Sequence, residues 1–123
     1  MSKLKILVVE DDRDFSAAFS DALKVAGHQV SEVYTGEDAV DMLACDRFDV
    51  TFMDVRLPGV NGVACFMKVR ETDPKAKVIV MTGYCVQELL DQAIENGAWC
   101  VLRKPLDMKR VVNILNKIDP QAA

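Results

Sequence analysis

Four short apolar runs of this sequence lead into residues that can do chemistry. Ile6 to Val9 runs into Glu10, Asp11 and Asp12, and Val50 to Met53 stops at Asp54. Val78 to Met81 gives way to Thr82, and Val101 and Leu102 are followed by Arg103, Lys104 and Pro105. Carboxylates packed together repel one another, and some hold their protons more tightly unless a cation joins them. An all-oxygen donor set suits a hard divalent ion. Magnesium fits best, because it takes few protein ligands and keeps waters and phosphate oxygens in its shell. A cation between Asp54 and a phosphoryl group removes the repulsion that otherwise keeps a carboxylate from attacking phosphorus. Lys104 supplies a second positive charge, and Thr82 a hydroxyl donor to a phosphoryl oxygen. Together they describe an aspartate that accepts a phosphoryl group. Taken singly, each acid is equally well a solvated strand-end charge or a helix cap.

For these residues to meet, the runs that carry them must be neighbouring strands. Lys5 to Val9, Gln29 to Val33, Asp49 to Met53, Lys77 to Met81 and Trp99 to Leu102 read as five strands. Between them lie helical stripes. Phe15, Ala18, Phe19, Ala22, Leu23 and Ala26 form the first, with Asp14 as its cap and Gly27 as its stop. Gly36 to Cys45 turns Ala39, Val40, Leu43 and Ala44 inward, and about Gly62 to Glu71 buries Val63, Phe66, Met67 and Val69. Val86, Leu89, Leu90, Ala93 and Ile94 make a fourth stripe that Gly97 ends, and Val111, Val112, Leu115 and Ile118 a fifth.

Strand and helix alternate five times through short connections. That pattern predicts right-handed βαβ units and a doubly wound five-stranded parallel sheet, an α/β fold of (βα)5 type covered on both faces. Near-continuous apolar strands agree, because such a sheet is buried on both sides. Ligands of open α/β sheets bind beyond the carboxyl ends of the strands, where strand order reverses. In the flavodoxin-like order 2-1-3-4-5, strands one and three are neighbours at that point, so Glu10, Asp11 and Asp54 share one pocket, flanked by Thr82 and Lys104.

The 123 residues suit one domain, with 119–123 as a tail. Because the last helix nearly reaches the end, no output domain is expected within the chain. Half of the residues are apolar and 28% are charged, an ordinary globular composition. A net charge of -4 argues against nucleic acid or an anionic membrane surface as the partner, since phosphate backbones need a basic face. Cys45, Cys65, Cys85 and Cys100 form no C-x-x-C pair, and His28 is the single histidine, so a zinc cluster is poorly supplied. The cysteines read as small buried hydrophobes in a reducing, cytoplasmic setting. No signal peptide or membrane span is expected from the opening Met-Ser-Lys-Leu-Lys-Ile.

With these motifs in this order, the chain resembles the receiver domains of two-component response regulators, the CheY-like superfamily. The likeness runs from about Lys5 to Ile118. It rests on Ile-Leu-Val-Val-Glu10-Asp11, on Met-Asp54-Val-Arg-Leu-Pro58-Gly-Val-Asn-Gly62, on Val-Ile-Val-Met-Thr82-Gly, and on Leu-Arg-Lys104-Pro105. The resemblance implies a single receiver domain over 1–123. It makes Asp54 the phosphoacceptor, served by the phosphohistidine of a sensor histidine kinase or phosphotransfer protein. Magnesium would be held by Asp11, by Glu10 directly or through water, by Asp54 and by the backbone carbonyl of Arg56. Thr82 and Lys104 would hold phosphoryl oxygens, and the Lys104–Pro105 peptide would be cis. Asp12 reads as a surface acid or helix-start residue rather than a ligand. Output or homodimerisation would use the face of the fourth helix, fifth strand and fifth helix.

Two features depart from or tune the family pattern. The position three residues before the active-site lysine, usually Tyr or Phe, is Val101, which cannot swing as a ring does. Trp99, nearby, reads as core or edge packing. Arg56 and Tyr84, each two residues after a site residue, are placed to set the lifetime of the phosphoryl group, and Asn61 reads as neutral.

Other functions meet obstacles in the same residues. An aspartyl-phosphate phosphohydrolase needs a second acid two residues after its nucleophile, where this chain has Arg56. A flavin site of this architecture needs hydroxyls and glycines in its first loop, where Glu10, Asp11 and Asp12 repel phosphate. A degenerate receiver, acting only as a docking module, would not need the complete acid, Thr82 and Lys104 set.

Overall fold

The three central strands are largely apolar on both faces, and their side chains alternate between two cores. Along β1 (Lys5–Val9), Ile6 and Val8 point to one side and Leu7 and Val9 to the other. In the computed structural model, which describes residues 3–54, 62–75, 77–83, 91, 94–95 and 97–118, that alternation organises the molecule. The remaining elements, in order, are α1 (Arg13–Val25), β2 (Gln29–Val33), α2 (Gly36–Cys45), β3 (Val50–Asp54), α3 (Gly62–Thr72), β4 (Val78–Thr82), β5 (Cys100–Arg103) and α4 (Met108–Ile118). All strand pairs are parallel and the order is β2-β1-β3-β4-β5, as expected. Strand limits differ from the sequence reading by one residue in β3, β4 and β5.

One core joins Leu7, Val9, Met53, Val78 and Val80 to Ala39 and Leu43 of α2 and Phe66 and Val69 of α3. The other joins Ile6, Val8, Phe52, Ile79 and Met81 to Phe19 and Leu23 of α1 and Val111 and Leu115 of α4. Among the described residues, α2 and α3 thus pack on one face of the sheet and α1 and α4 on the other. The fourth stripe, over Val86 to Ile94, falls largely outside the described residues; Asp91, Ile94 and Glu95 are helical. No helix is long and apolar enough to cross a membrane among the described residues.

Several details differ from expectation. The cap of α1 is Asp12, not Asp14: its side chain accepts from the Phe15 N–H at 3.1 Å, satisfying one of the orphan donors of the first turn. The helix ends in a Schellman turn, with Gly27 N–H bonded to Lys24 C=O and His28 N–H to Leu23 C=O. Gly27 takes φ 102° there, a conformation that a Cβ would strain. The buried stripe of α1 runs through Ser16, Phe19, Ser20 and Leu23, while Ala18 is exposed. Ser16 tolerates burial because its hydroxyl donates to Glu32 at 2.7 Å. Ala44, Met67 and Val112, expected inward, lie on the solvent side of their helices. Cys45, at the end of α2, is exposed and Cys100 half-buried, so neither is the fully buried hydrophobe expected; Cys65 and Cys85 lie outside the described side chains.

Candidate functional site

Backbone pairing does not stop where the strands do. Glu10 N–H bonds to Val33 C=O at 3.1 Å, and Lys104 N–H to Thr82 C=O at 2.8 Å, so the ladders run one residue past β1 and β5. Side chains in an extended chain alternate with a period of two. Glu10 therefore follows Ile6 and Val8, Asp54 follows Val50 and Phe52, and Lys104 follows Leu102. All three project on the side that α1 and α4 cover. Parallel pairing of β1 with β3 sets Val9 against Met53, which puts Glu10 beside Asp54.

The side chains close on one another accordingly. The Lys104 ammonium donates to Asp54 Oδ2 at 2.8 Å and to Glu10 Oε1. The second Glu10 oxygen, Oε2, accepts from the Asp12 N–H at 3.2 Å. Glu10 and Asp54 are buried, and Asp11 stands exposed at the rim. A carboxylate oxygen from each of Glu10, Asp11 and Asp54 lies within 4.8 Å of the others. Thr82, buried at the end of β4, is one residue beyond Met81, the partner of Asp54. The Lys104–Pro105 peptide is cis.

Charge is out of balance in this cluster. One ammonium faces two buried acids, with a third acid at the mouth. Burial pushes the Glu10 carboxyl up to about 7, and the neighbouring Asp54 adds to that, against the pull of the Lys104 hydrogen bond. Burial would lower the Lys104 ammonium, but its hydrogen bonds to Asp54 and Glu10 outweigh that and leave it raised. The leftover negative charge, an all-oxygen donor set and an open, exposed Asp11 fit a hard divalent cation.

Sequence reading had brought Glu10, Asp11, Asp54, Thr82 and Lys104 to one rim, and they lie there. Asp12 takes the helix-start role rather than a place in the cluster. The Arg56 carbonyl, Tyr84 and Asn61 lie outside the described residues. Val101 is half-buried against the α2–α3 core, on the opposite face from Lys104. Trp99, half exposed and bonded through its backbone N–H to Val78 C=O just ahead of the edge strand β5, has the edge rather than the core place of its two readings. One contact had no sequence signal: the Lys104 ammonium sits over the ring of Phe15, which had read as a core residue.

A sequence profile of the response regulator receiver domain matches residues 6–116. The chain is 33% identical over 107 residues to the C4-dicarboxylate transport transcriptional regulatory protein DctD of Rhizobium meliloti, a match over 87% of this chain and 23% of that one. With the chemotaxis protein CheY of Thermotoga maritima it shares 31% identity over 115 residues, covering 93% of this chain and 96% of the relative. Among solved structures it superposes with a TM-score of 0.85 on the receiver domain of a sensor histidine kinase from Pseudomonas aeruginosa, whose crystal structure has a magnesium ion coordinated in the active site cleft. That pair is 25% identical, and the superposition covers 94% of this chain and 97% of the other. The chain spans about a quarter of the length of the transcriptional regulatory proteins it matches.

Proposed function

Because the chain belongs to the response regulator receiver family, we propose that Asp54 is the residue on which it carries its phosphoryl group. The chain has a phosphoacceptor role in two-component signalling. The observation that carries the assignment of Asp54 is the Lys104 ammonium, held on Asp54 Oδ2 at 2.8 Å and shared with buried Glu10 at the carboxyl rim.

The donor of the group is a phosphohistidine of a sensor kinase or phosphotransfer protein. An Asp54 carboxylate oxygen bonds to phosphorus as the P–N bond breaks, and the imidazole leaves with the electron pair. Lys104 moves its hydrogen bonding from the Asp54 carboxylate to the phosphoryl oxygens, and the Thr82 hydroxyl donates to another. Glu10, Asp11 and Asp54 would hold magnesium, and the Arg56 backbone carbonyl, outside the described residues, is the further protein ligand that the family resemblance implies. When bound, that ion supplies charge neutralisation for the attack of one anion on another. The chain turns over no free metabolite; it catalyses its own phosphoryl transfer and the later hydrolysis.

Residues 1–123 form one receiver domain in the cytoplasm. Output leaves through the face of the helix before β5, β5 itself and α4, where Ile94, Trp99 and Val112 are exposed apolar side chains. Treatment with acetyl phosphate and magnesium should add one phosphoryl mass to the intact protein, and Asp54→Asn should add none. A labelled Asp54→Asn, or an unlabelled parent across several phosphodonors, would remove Asp54 from this role.

A further inference from the structure

Besides Glu10 and Asp54, the Lys104 ammonium meets the face of Phe15, whose ring centroid lies 4.3 Å away. Phe15 is not loosely placed. Its backbone N–H is tied to the Asp12 cap at 3.1 Å. Its ring packs on Phe19, centroids 5.8 Å apart and planes at 34°. Phe19 in turn meets Phe52 edge-on, at 5.0 Å and 87°. Phe52 is fully buried in β3, two residues before Asp54. The ring and the carboxylate that flank Lys104 thus hang from one strand, the first through a ladder of three aromatic rings.

We propose that Phe15 is a positioning residue for phosphoryl transfer, its ring holding the Lys104 ammonium at the mouth of the acidic pocket and directing it onto the incoming phosphoryl oxygens. The inference rests on the phosphoacceptor reading of Asp54. Lysine carries its charge on a flexible four-carbon stem, and fixing that stem costs rotamer entropy. Hydrogen bonds to Glu10 and Asp54 fix it only while Asp54 is a free carboxylate. Once a phosphoryl group joins Asp54, the ammonium must shift to new acceptors. A ring quadrupole attracts a cation over its whole face, so the contact with Phe15 survives a shift that a single hydrogen bond does not. The ring also occupies space into which the ammonium would otherwise turn toward water.

A Phe15 that only fills the core would be replaced by an aliphatic residue of similar size without effect on Lys104. Beryllofluoride binding in saturating magnesium reads the hold on phosphoryl-like oxygens, and magnesium titration alone reads the carboxylates. Phe15→Leu should weaken beryllofluoride about three-fold, the size of a partly exposed cation–π contact, with magnesium affinity unchanged. Phe15→Tyr, which keeps the ring, should bind beryllofluoride as the parent does. If Phe15→Leu loses its thermal transition, Phe15→Met, with volume but no ring, takes its place and should show the same loss. Equal beryllofluoride affinity in the parent and the ringless variant overturns the inference and leaves Asp54 untouched. So does a parallel loss of magnesium affinity, or a loss in Phe15→Tyr as large as in Phe15→Leu. A parent that neither binds beryllofluoride nor takes a phosphoryl group from acetyl phosphate overturns the reading of Asp54, and this inference with it.

Discussion

Two lysines hold carboxylates at opposite ends of the sheet. Lys5, at the start of β1, meets Asp46 at 2.6 Å, with side chains 31% and 46% exposed. Lys104, just past β5, meets Asp54 at 2.8 Å and also Glu10, with side chains 20%, 8% and 1% exposed respectively. The chemical groups are the same, yet the carboxyls shift in opposite directions. Asp46 is held below its ordinary value, chiefly by the Lys5 hydrogen bond. Glu10 is pushed up to about 7, chiefly by burial. Water screens the first pair, and one cation suffices for one anion there. At the other end burial of the two acids removes most of that screening, and one cation must serve both of them. An ion pair at the amino end trims a surface; at the carboxyl end it leaves charge unsettled, which is what a reactive site requires.

The largest expected effect comes from removing the buried cation. Lys104→Ala should slow labelling by acetyl phosphate on the order of 100-fold, the usual loss when one charge-stabilising donor leaves a reactive site. The same variant should bind magnesium more tightly, because the ammonium no longer competes for Glu10 and Asp54. Unchanged labelling, or weaker magnesium binding, would make Lys104 a structural counter-ion like Lys5.

The fold and most of the site could be read from the residues because both depend on short-range pattern. Ile6 to Val9 and Val78 to Met81 are apolar throughout, which marks buried parallel strands, and acids at the ends of such runs must lie at the carboxyl rim. What escaped reading depends on rotation or on distant partners. Asp12 and Asp14 are the same residue type two positions apart, and only backbone geometry makes Asp12 the cap. Ser16 looks polar in a stripe of alanines and phenylalanines, but Glu32 of β2 satisfies its hydroxyl, so the buried face turns toward it and away from Ala18. Nothing local to Phe15 reports that Lys104, from the far end of the chain, packs on its ring.

A smaller effect separates the two ends by pH. Glu10 titrates near its ordinary 4.5 when unfolded and at about 7 when folded. The folded chain then binds more protons between those values, so this group's contribution to stability is complete below about 4.5 and is lost as pH rises through 7. In magnesium-free buffer the parent should lose about 1 to 3 kcal/mol relative to Glu10→Gln across that window, less than the full 1.36 kcal/mol per pH unit because Lys104 is coupled to Glu10. Magnesium should raise the parent's denaturation midpoint more at pH 8 than at pH 5, since the ion takes the deprotonated carboxylate. A parent and Glu10→Gln that run parallel from pH 4.5 to 7 would remove the charge imbalance from the account.

The smallest effect belongs to the amino end. Asp46→Asn keeps an oxygen for the Arg47 N–H, which Asp46 Oδ1 accepts at 2.8 Å, and removes only the charge that faces Lys5. Lys5 keeps another attraction, the ring of Phe48 at 5.0 Å. Because the Asp46 carboxyl is held down, its contribution is present above the ordinary carboxylate value of 3.8 and is lost as pH falls below it. Both side chains are exposed and screened, so the variant should fall only slightly below the parent's denaturation midpoint at neutral pH. Any residual difference should vanish in about 0.5 M sodium chloride, where screening reaches a few Å. Its labelling by acetyl phosphate should equal the parent's, because the intervening strands carry no charge between the two ends: Ile6 to Val9 and Phe52 to Met53 are apolar and buried. A change in labelling in Asp46→Asn would mean that the two ends of the sheet are electrostatically joined, and that burial alone does not set them apart.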